Sequence, residues 1–224
     1  MTKKKLVHFA ENLTFNHLFQ HPFPDIPESF YLKGRWNQDY FYNDHPITLE
    51  LGCGKGEYTV NLALKYPERN FIGIDIKGAR LWKGCKMVQE AGLQNVAFIR
   101  SKVEFIGQFL GKNEVSEIWI TFPDPFPLTK QGHKRLTSPE FLDRYREIIN
   151  QDGLIHLKTD NGRLYDYTLS VVKKHGHSLI FASDDIYQLP EPHEATLIQT
   201  FYEEKFRKEG VPIKYTEFTL SHES

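Results

Sequence analysis

Leu49-Glu50-Leu51-Gly52-Cys53-Gly54-Lys55-Gly56 decides the fold of this chain. An apolar run that begins at Ile47 ends here, and three glycines then alternate with larger residues. This is the pattern of a buried strand turning into a helix, because glycine accepts dihedrals that side chains resist and lets backbone pass close to a ligand. The spacing Gly52-x-Gly54-x-Gly56 differs from the Gly-x-Gly-x-x-Gly of a dinucleotide site, and no lysine followed by Ser or Thr completes a triphosphate loop. Glu50 would repel a pyrophosphate and suits a cationic sulfonium or ammonium ligand. Asp75 ends the next apolar run, Phe71 to Ile74, where a carboxylate can accept both hydroxyls of a ribose. Together Glu50, Gly52, Gly54, Gly56 and Asp75 point to S-adenosylmethionine.

Outward from this motif, short apolar runs alternate with helical stretches, which implies an α/β fold on a parallel sheet. Strands are expected at 47–51, 71–74, 96–99, 115–121, 154–157, 178–182 and 213–220. Helices are expected at 58–66, 79–91, about 138–149, 164–174 and 201–209, with a short crossover at 103–110. Thr200 and Glu203 have the spacing of a capping box, and Ser138-Pro139 reads as a helix start. Residues 1–45 carry Pro22, Pro24 and Pro27 and no sustained period, so they read as an arm on a single domain at 46–224. With Lys33, Arg35 and Trp36, that arm suits either covering a cofactor or clasping RNA.

The chain has 224 residues, 28 basic and 29 acidic, so net charge points to no particular partner and any RNA contact must come from local clustering. Cys53 and Cys85 fit neither a disulfide framework nor a metal site, and no metal is expected. With no apolar run long enough to span a bilayer and no leader-like start, the chain reads as cytoplasmic.

The fourth strand runs into Phe122-Pro123-Asp124-Pro125-Phe126-Pro127, whose prolines cannot continue a ladder, so a rigid loop is expected. Lys130, His133, Lys134 and Arg135 follow, a cluster suited to RNA phosphates. Arg100-Ser101-Lys102, after the third strand, is placed to border an adenine. His193, between Pro192 and Glu194, reads as a structural loop residue.

Beyond these readings the chain resembles the tRNA (guanine-N7)-methyltransferase family, which acts on guanine 46 of the tRNA variable loop. The resemblance rests on Leu49 to Gly56, Phe71 to Asp75, Phe122 to Pro127, Lys134-Arg135-Leu136-Thr137, Leu157-Lys158-Thr159-Asp160 and Thr200-Phe201-Tyr202-Glu203. It implies a Rossmann-like class I fold with a mostly parallel seven-stranded sheet and one antiparallel strand. It also implies that Glu50, Asp75, Lys102 and Asp124 line the cofactor pocket, and that Asp160 and the segment Thr200, Tyr202 and Glu203 touch tRNA. Phe126 stands where the family usually has tryptophan, and Leu128 where it usually has lysine, so that contact is missing or has moved to Lys130.

Guanine N7 has a free lone pair and the product is cationic, so the chemistry needs a carboxylate beside the purine rather than a general base. Asp124 is the first candidate and Asp160 the second. Each has a plain alternative, Asp124 as a cap for loop amides and Asp160 as part of an Asp-Asn-Gly turn. Three rivals stay open: a same-fold methyltransferase for a small molecule or protein, a non-catalytic RNA-binding module and, third, a dehydrogenase. Monomer and homodimer are both open.

Overall fold

The computed structural model describes residues 3–221, so the outermost ends of the expected arm and domain lie outside the described residues. A helix over Lys3–Asn12 (α1) and a short strand, Leu18–Gln20 (β1), come first. Strands and helices then alternate as Ile47–Leu51 (β2), Glu57–Lys65 (α2), Asn70–Ile74 (β3), Gly78–Ala91 (α3), Val96–Arg100 (β4), Ile106–Phe109 (α4) and Val115–Thr121 (β5). Pro139–Arg146 (α5), Ile149–Thr159 (β6), Gly162–Lys174 (α6), Ser178–Ser183 (β7), Phe201–Lys208 (α7) and Lys214–Thr219 (β8) complete the order.

The strands form one sheet in the order β1-β4-β3-β2-β5-β6-β8-β7. All neighbours are parallel except β8, which runs antiparallel to both β6 and β7. This is a Rossmann-like mixed sheet. The chain winds outward from β2 through β3 to β4 and then returns to place β5 on the other side of β2. The crevice at that reversal is where ligands of such sheets bind.

Every residue of β2 and β3 is buried, as expected of central parallel strands covered on both faces. On one face, Tyr58, Val60 and Leu62 of α2 and Leu81, Cys85 and Val88 of α3 pack with Ile186, Ala195 and Ile198. On the other, Ile106, Phe141, Tyr145, Leu164 and Val171 pack with Phe30, Leu32, Trp36 and Phe41 of the arm.

Among the described residues the sheet has eight strands rather than the seven expected, because Leu18 to Gln20 pair in parallel with Phe98 to Arg100 on the outer edge of β4. Nor is the arm without a helix. α1 escapes a hydrophobic reading because polar groups anchor it: Asn12 Nδ2 donates to the Gly78 carbonyl at 2.8 Å, Trp82 Nε1 donates to Glu11 at 2.5 Å, and His8 stacks on Trp82 at 4.0 Å. Leu6 and Val7 face solvent.

The helix expected to reach residue 149 ends at Arg146, and the strand expected at 154 begins at Ile149, because the Val115 amide already pairs with the Ile148 carbonyl. Ser138 does precede Pro139 at the start of α5, but its hydroxyl bonds the His133 carbonyl instead of capping the helix.

Trp36 is fully buried and its indole donates to the Phe109 carbonyl at 2.9 Å, so the arm is part of the core. Trp36→Ala is expected to destabilise the protein by about 3–5 kcal/mol. Urea unfolding checks this, and a loss below about 1 kcal/mol would mean that the arm contributes little to the fold.

Candidate functional site

β2 and β3 end side by side, Leu51 opposite Ile74, which brings Glu50 and Asp75 together at the sheet's carboxyl edge. Gly52, Gly54 and Gly56 all have positive φ, between 59° and 70°. At Gly56 a Cβ would lie 2.6 Å from the Phe98 ring and 3.2 Å from the Gly84 Cα, so glycine also permits the close approach of loop and α3. Asp75 accepts from the Gly54 amide at 3.0 Å and from the Lys77 amide at 2.7 Å. Each of its oxygens keeps a lone pair, which is what a ribose diol requires.

Glu50 lines the same cleft but is 3% exposed. Its carboxylate accepts from the Thr59 amide at 2.9 Å, from the Thr59 hydroxyl and from the Thr121 hydroxyl at 2.8 Å. It thus binds the start of α2 to the end of β5. Burial pushes its pKa up from 4.5 to about 7 against these hydrogen bonds, and the Asp75 charge adds to the rise. A cation in the cleft relieves that penalty.

At the end of β4, Ser101 is fully buried and its hydroxyl has no hydrogen-bond partner among the described residues. Lys102, expected beside the cofactor, instead holds its ammonium 5.0 Å over the ring of Phe23 from the arm. The glycine cradle, the paired carboxylates and the orphaned Ser101 hydroxyl just past the end of β4 fit an adenosyl ligand with a cationic tail. Among the described residues no group of three His, Cys, Asp or Glu side chains can hold a metal.

Thr200 and Tyr202 close the cleft from α7. The expected capping box is present, with Thr200 Oγ1 accepting from the Glu203 amide at 3.1 Å and Glu203 accepting from the Thr200 amide at 3.2 Å. Glu203, expected to touch tRNA, is instead 0% exposed and cannot reach a substrate. Its carboxylate pairs with Lys158 at 2.6 Å and accepts from the Tyr187 hydroxyl at 2.7 Å. Lys158, equally buried, also donates to the carbonyls of Ala195 at 2.5 Å and Ile198 at 3.1 Å, and burial lowers its pKa. Sequence reasoning missed this lysine, whose only signal was a cation inside the apolar run of β6.

Phe122, after β5, lines the cleft and has φ 48°, and Phe126 has φ 42°. Left-handed conformations on bulky residues need the surroundings to hold them. Arg135 does so: its guanidinium donates to the Pro125 and Phe126 carbonyls at 3.0–3.2 Å and lies 4.2 Å over the Tyr167 ring. Expected to hold tRNA phosphates, Arg135 is therefore committed to the loop. Lys130 and Lys134 are exposed and have no partner among the described residues.

Asp124 is exposed and its carboxylate makes no hydrogen bond or ion pair among the described residues, so it does not cap its loop. Asp160 is half-buried and equally unpaired, because the neighbouring Asn161 caps α6 by accepting from the Leu164 amide at 2.9 Å. His193 takes the structural role expected, accepting from the Ala195 amide and stacking on Phe181.

A family model described as a putative methyltransferase matches residues 44–216. The chain is 51% identical to the tRNA (guanine-N(7)-)-methyltransferase of Christiangramia forsetii over 221 residues, which are 98% of this chain and 99% of that one. It is 43% identical to the protein of the same name from Bacteroides thetaiotaomicron over 224 residues, covering 100% of this chain and 88% of the relative. Among solved structures, the 16S rRNA methyltransferase KamB superposes with a TM-score of 0.64 at 15% identity, over 88% of this chain and 96% of the other, a likeness of fold.

Two outcomes are expected. Lys158→Met leaves the Glu203 carboxylate buried without its cation and should destabilise the protein by about 3–5 kcal/mol, with Lys158→Met/Glu203→Gln recovering part of the loss. Denaturant titration of both variants decides it, and equal stability of Lys158→Met and wild type would deny the pair its role. For Glu50, whose folded pKa is raised, protonation stabilises the ligand-free protein fully below about pH 4.5, and that contribution fades as pH rises through about 7. A cationic cofactor favours the ionised form, so S-adenosylmethionine affinity should rise between pH 6 and about pH 8 with proton release. Calorimetry in buffers of different ionisation enthalpy measures that release, which Glu50→Gln should abolish.

Proposed function

The chain belongs to the tRNA (guanine-N(7)-)-methyltransferase family, and we infer that it transfers the methyl group of S-adenosylmethionine to N7 of a guanine in tRNA. The observation that carries the reading is the pairing of an adenosyl-fitting cleft with two unpaired carboxylates, Asp124 and Asp160, at the ends of the two strands beyond it. Guanine 46 of the variable loop is the position we propose, on the strength of the family resemblance.

The cofactor, when bound, supplies an electrophilic methyl on a sulfonium. The protein's own part is electrostatic and positional. Guanine N7 needs no proton removed, so no side chain has to act as base. Positive charge grows on the purine during transfer, and a carboxylate already in place stabilises it without reorganising. Asp124 suits this role, because Arg135 and the flanking prolines hold its loop while leaving the carboxylate free. Asp160 has acceptors for the N1 and N2 donors of the same guanine and would fix its orientation. Asp75 would take the ribose hydroxyls, Ser101 the adenine edge, and Glu50 the cationic end of the cofactor. Thr200 and Tyr202 would border the incoming base, and Lys130 and Lys134 would meet the tRNA backbone.

Incubation with unmodified tRNA and labelled cofactor, followed by nucleoside analysis, should give 7-methylguanosine, and label on any other base or on protein would refute the assignment. Asp124→Asn keeps size and hydrogen-bond acceptance while deleting charge. It should lower the single-turnover rate at saturating tRNA and cofactor by about a hundredfold, with smaller effects on either affinity. A near wild-type rate at saturation would transfer the charge-stabilising role to Asp160.

A further inference from the structure

The cleft has a second cationic rim that no ion pair within the described residues accounts for. Lys55, inside the glycine loop, and Arg80, in the first turn of α3, line the same cleft as Thr200 and Tyr202. Both are exposed, and neither has a carboxylate partner among the described residues. The nearby acid that could have neutralised them, Glu57, is already paired with Lys83. Arg80 also gains nothing from its helix, since the amino-terminal end of a helix dipole disfavours a cation. Lys55 holds its ammonium 5.0 Å over the ring of Phe201, which is 57% exposed beside the 49% exposed Tyr202. Free cations beside exposed aromatic rings form a surface for a single nucleic-acid strand, charge for the phosphates and rings for unstacked bases.

The topology sets this rim against the other one. Lys55 and Arg80 follow β2 and β3, while Lys130 and Lys134 follow β5, so the two cationic pairs flank the switch point from opposite sides. We propose that Lys55 and Arg80 are a second phosphate-binding post for tRNA, so that the strand carrying the target guanine crosses the cleft mouth between two cationic supports. The proposal rests on the tRNA reading above. Held on both sides of the target, the strand presents its base to the cleft with the backbone fixed, a constraint that a single cluster after β5 cannot impose. The carboxylate of the cofactor's amino-acid tail is the competing partner for Arg80.

The test uses the full chain, unmodified tRNA and a salt series. Lys55→Gln/Arg80→Gln should weaken tRNA binding and make the log-log salt slope shallower by about two units, one per lost phosphate contact. Affinity for S-adenosylhomocysteine and the melting temperature should stay unchanged. Arg80→Lys should retain the wild-type slope. A steep wild-type slope that the double variant keeps overturns this post alone. Loss of S-adenosylhomocysteine affinity at an unchanged tRNA slope also overturns it and assigns Arg80 to the cofactor. A wild type without salt-dependent tRNA binding overturns the post together with the tRNA reading.

Discussion

The ion pair of Lys158 and Glu203 is the constraint on which the working edge of this protein depends. Taking two charges out of water costs several kcal/mol each, and only a complete set of partners offsets it. Here the set is complete. Lys158 donates to two carbonyls and a carboxylate, and Glu203 receives an ammonium, a phenol and a backbone amide. A pair so fully satisfied holds residues 195–203 in one place. It thereby sets Thr200 and Tyr202 against the glycine loop, and Asp160 follows Lys158 by two residues, just past the end of β6.

The loop after β5 is held by the same logic with a different cation. Arg135 gathers the carbonyls of a turn that contains two left-handed phenylalanines, and the Phe122 amide ties the turn to the Lys158 carbonyl at 2.8 Å. In both segments protein cations are spent on backbone and on a structural acid. Asp124 and Asp160 are left without partners among the described residues. Carboxylates free of intramolecular bonds, on segments that cannot move far, are the arrangement that transition-state stabilisation needs.

Much of this was legible in the sequence, for identifiable reasons. The glycine loop, the acid at each strand end and the prolines after β5 act through local backbone geometry, and local geometry is written in adjacent residues. The capping box at Thr200 and Glu203 is local too, and its spacing revealed it. What could not be read was where a long side chain goes when its partner is distant in sequence. Glu203 and Arg135 looked like surface groups ready for RNA, yet one is sealed against Lys158 and the other bonded to Pro125 and Phe126. The anchoring of α1 was hidden similarly, because its contacts are those of Asn12, His8 and Glu11 and not of an apolar stripe.

The short strand β1 bears on where this protein's folding unit begins. The matched methyltransferase region starts at residue 44, after β1 and after the arm's aromatic residues in the core. A chain cut at that boundary would keep every glycine and carboxylate of the cleft, yet it would uncover one edge of β4 and strip Phe30, Leu32, Trp36 and Phe41 from the opposite layer. Unpaired parallel edges recruit other chains. The motifs of the cleft and the folding unit therefore have different borders, and β1 covers an edge of β4 that such a cut would lay open.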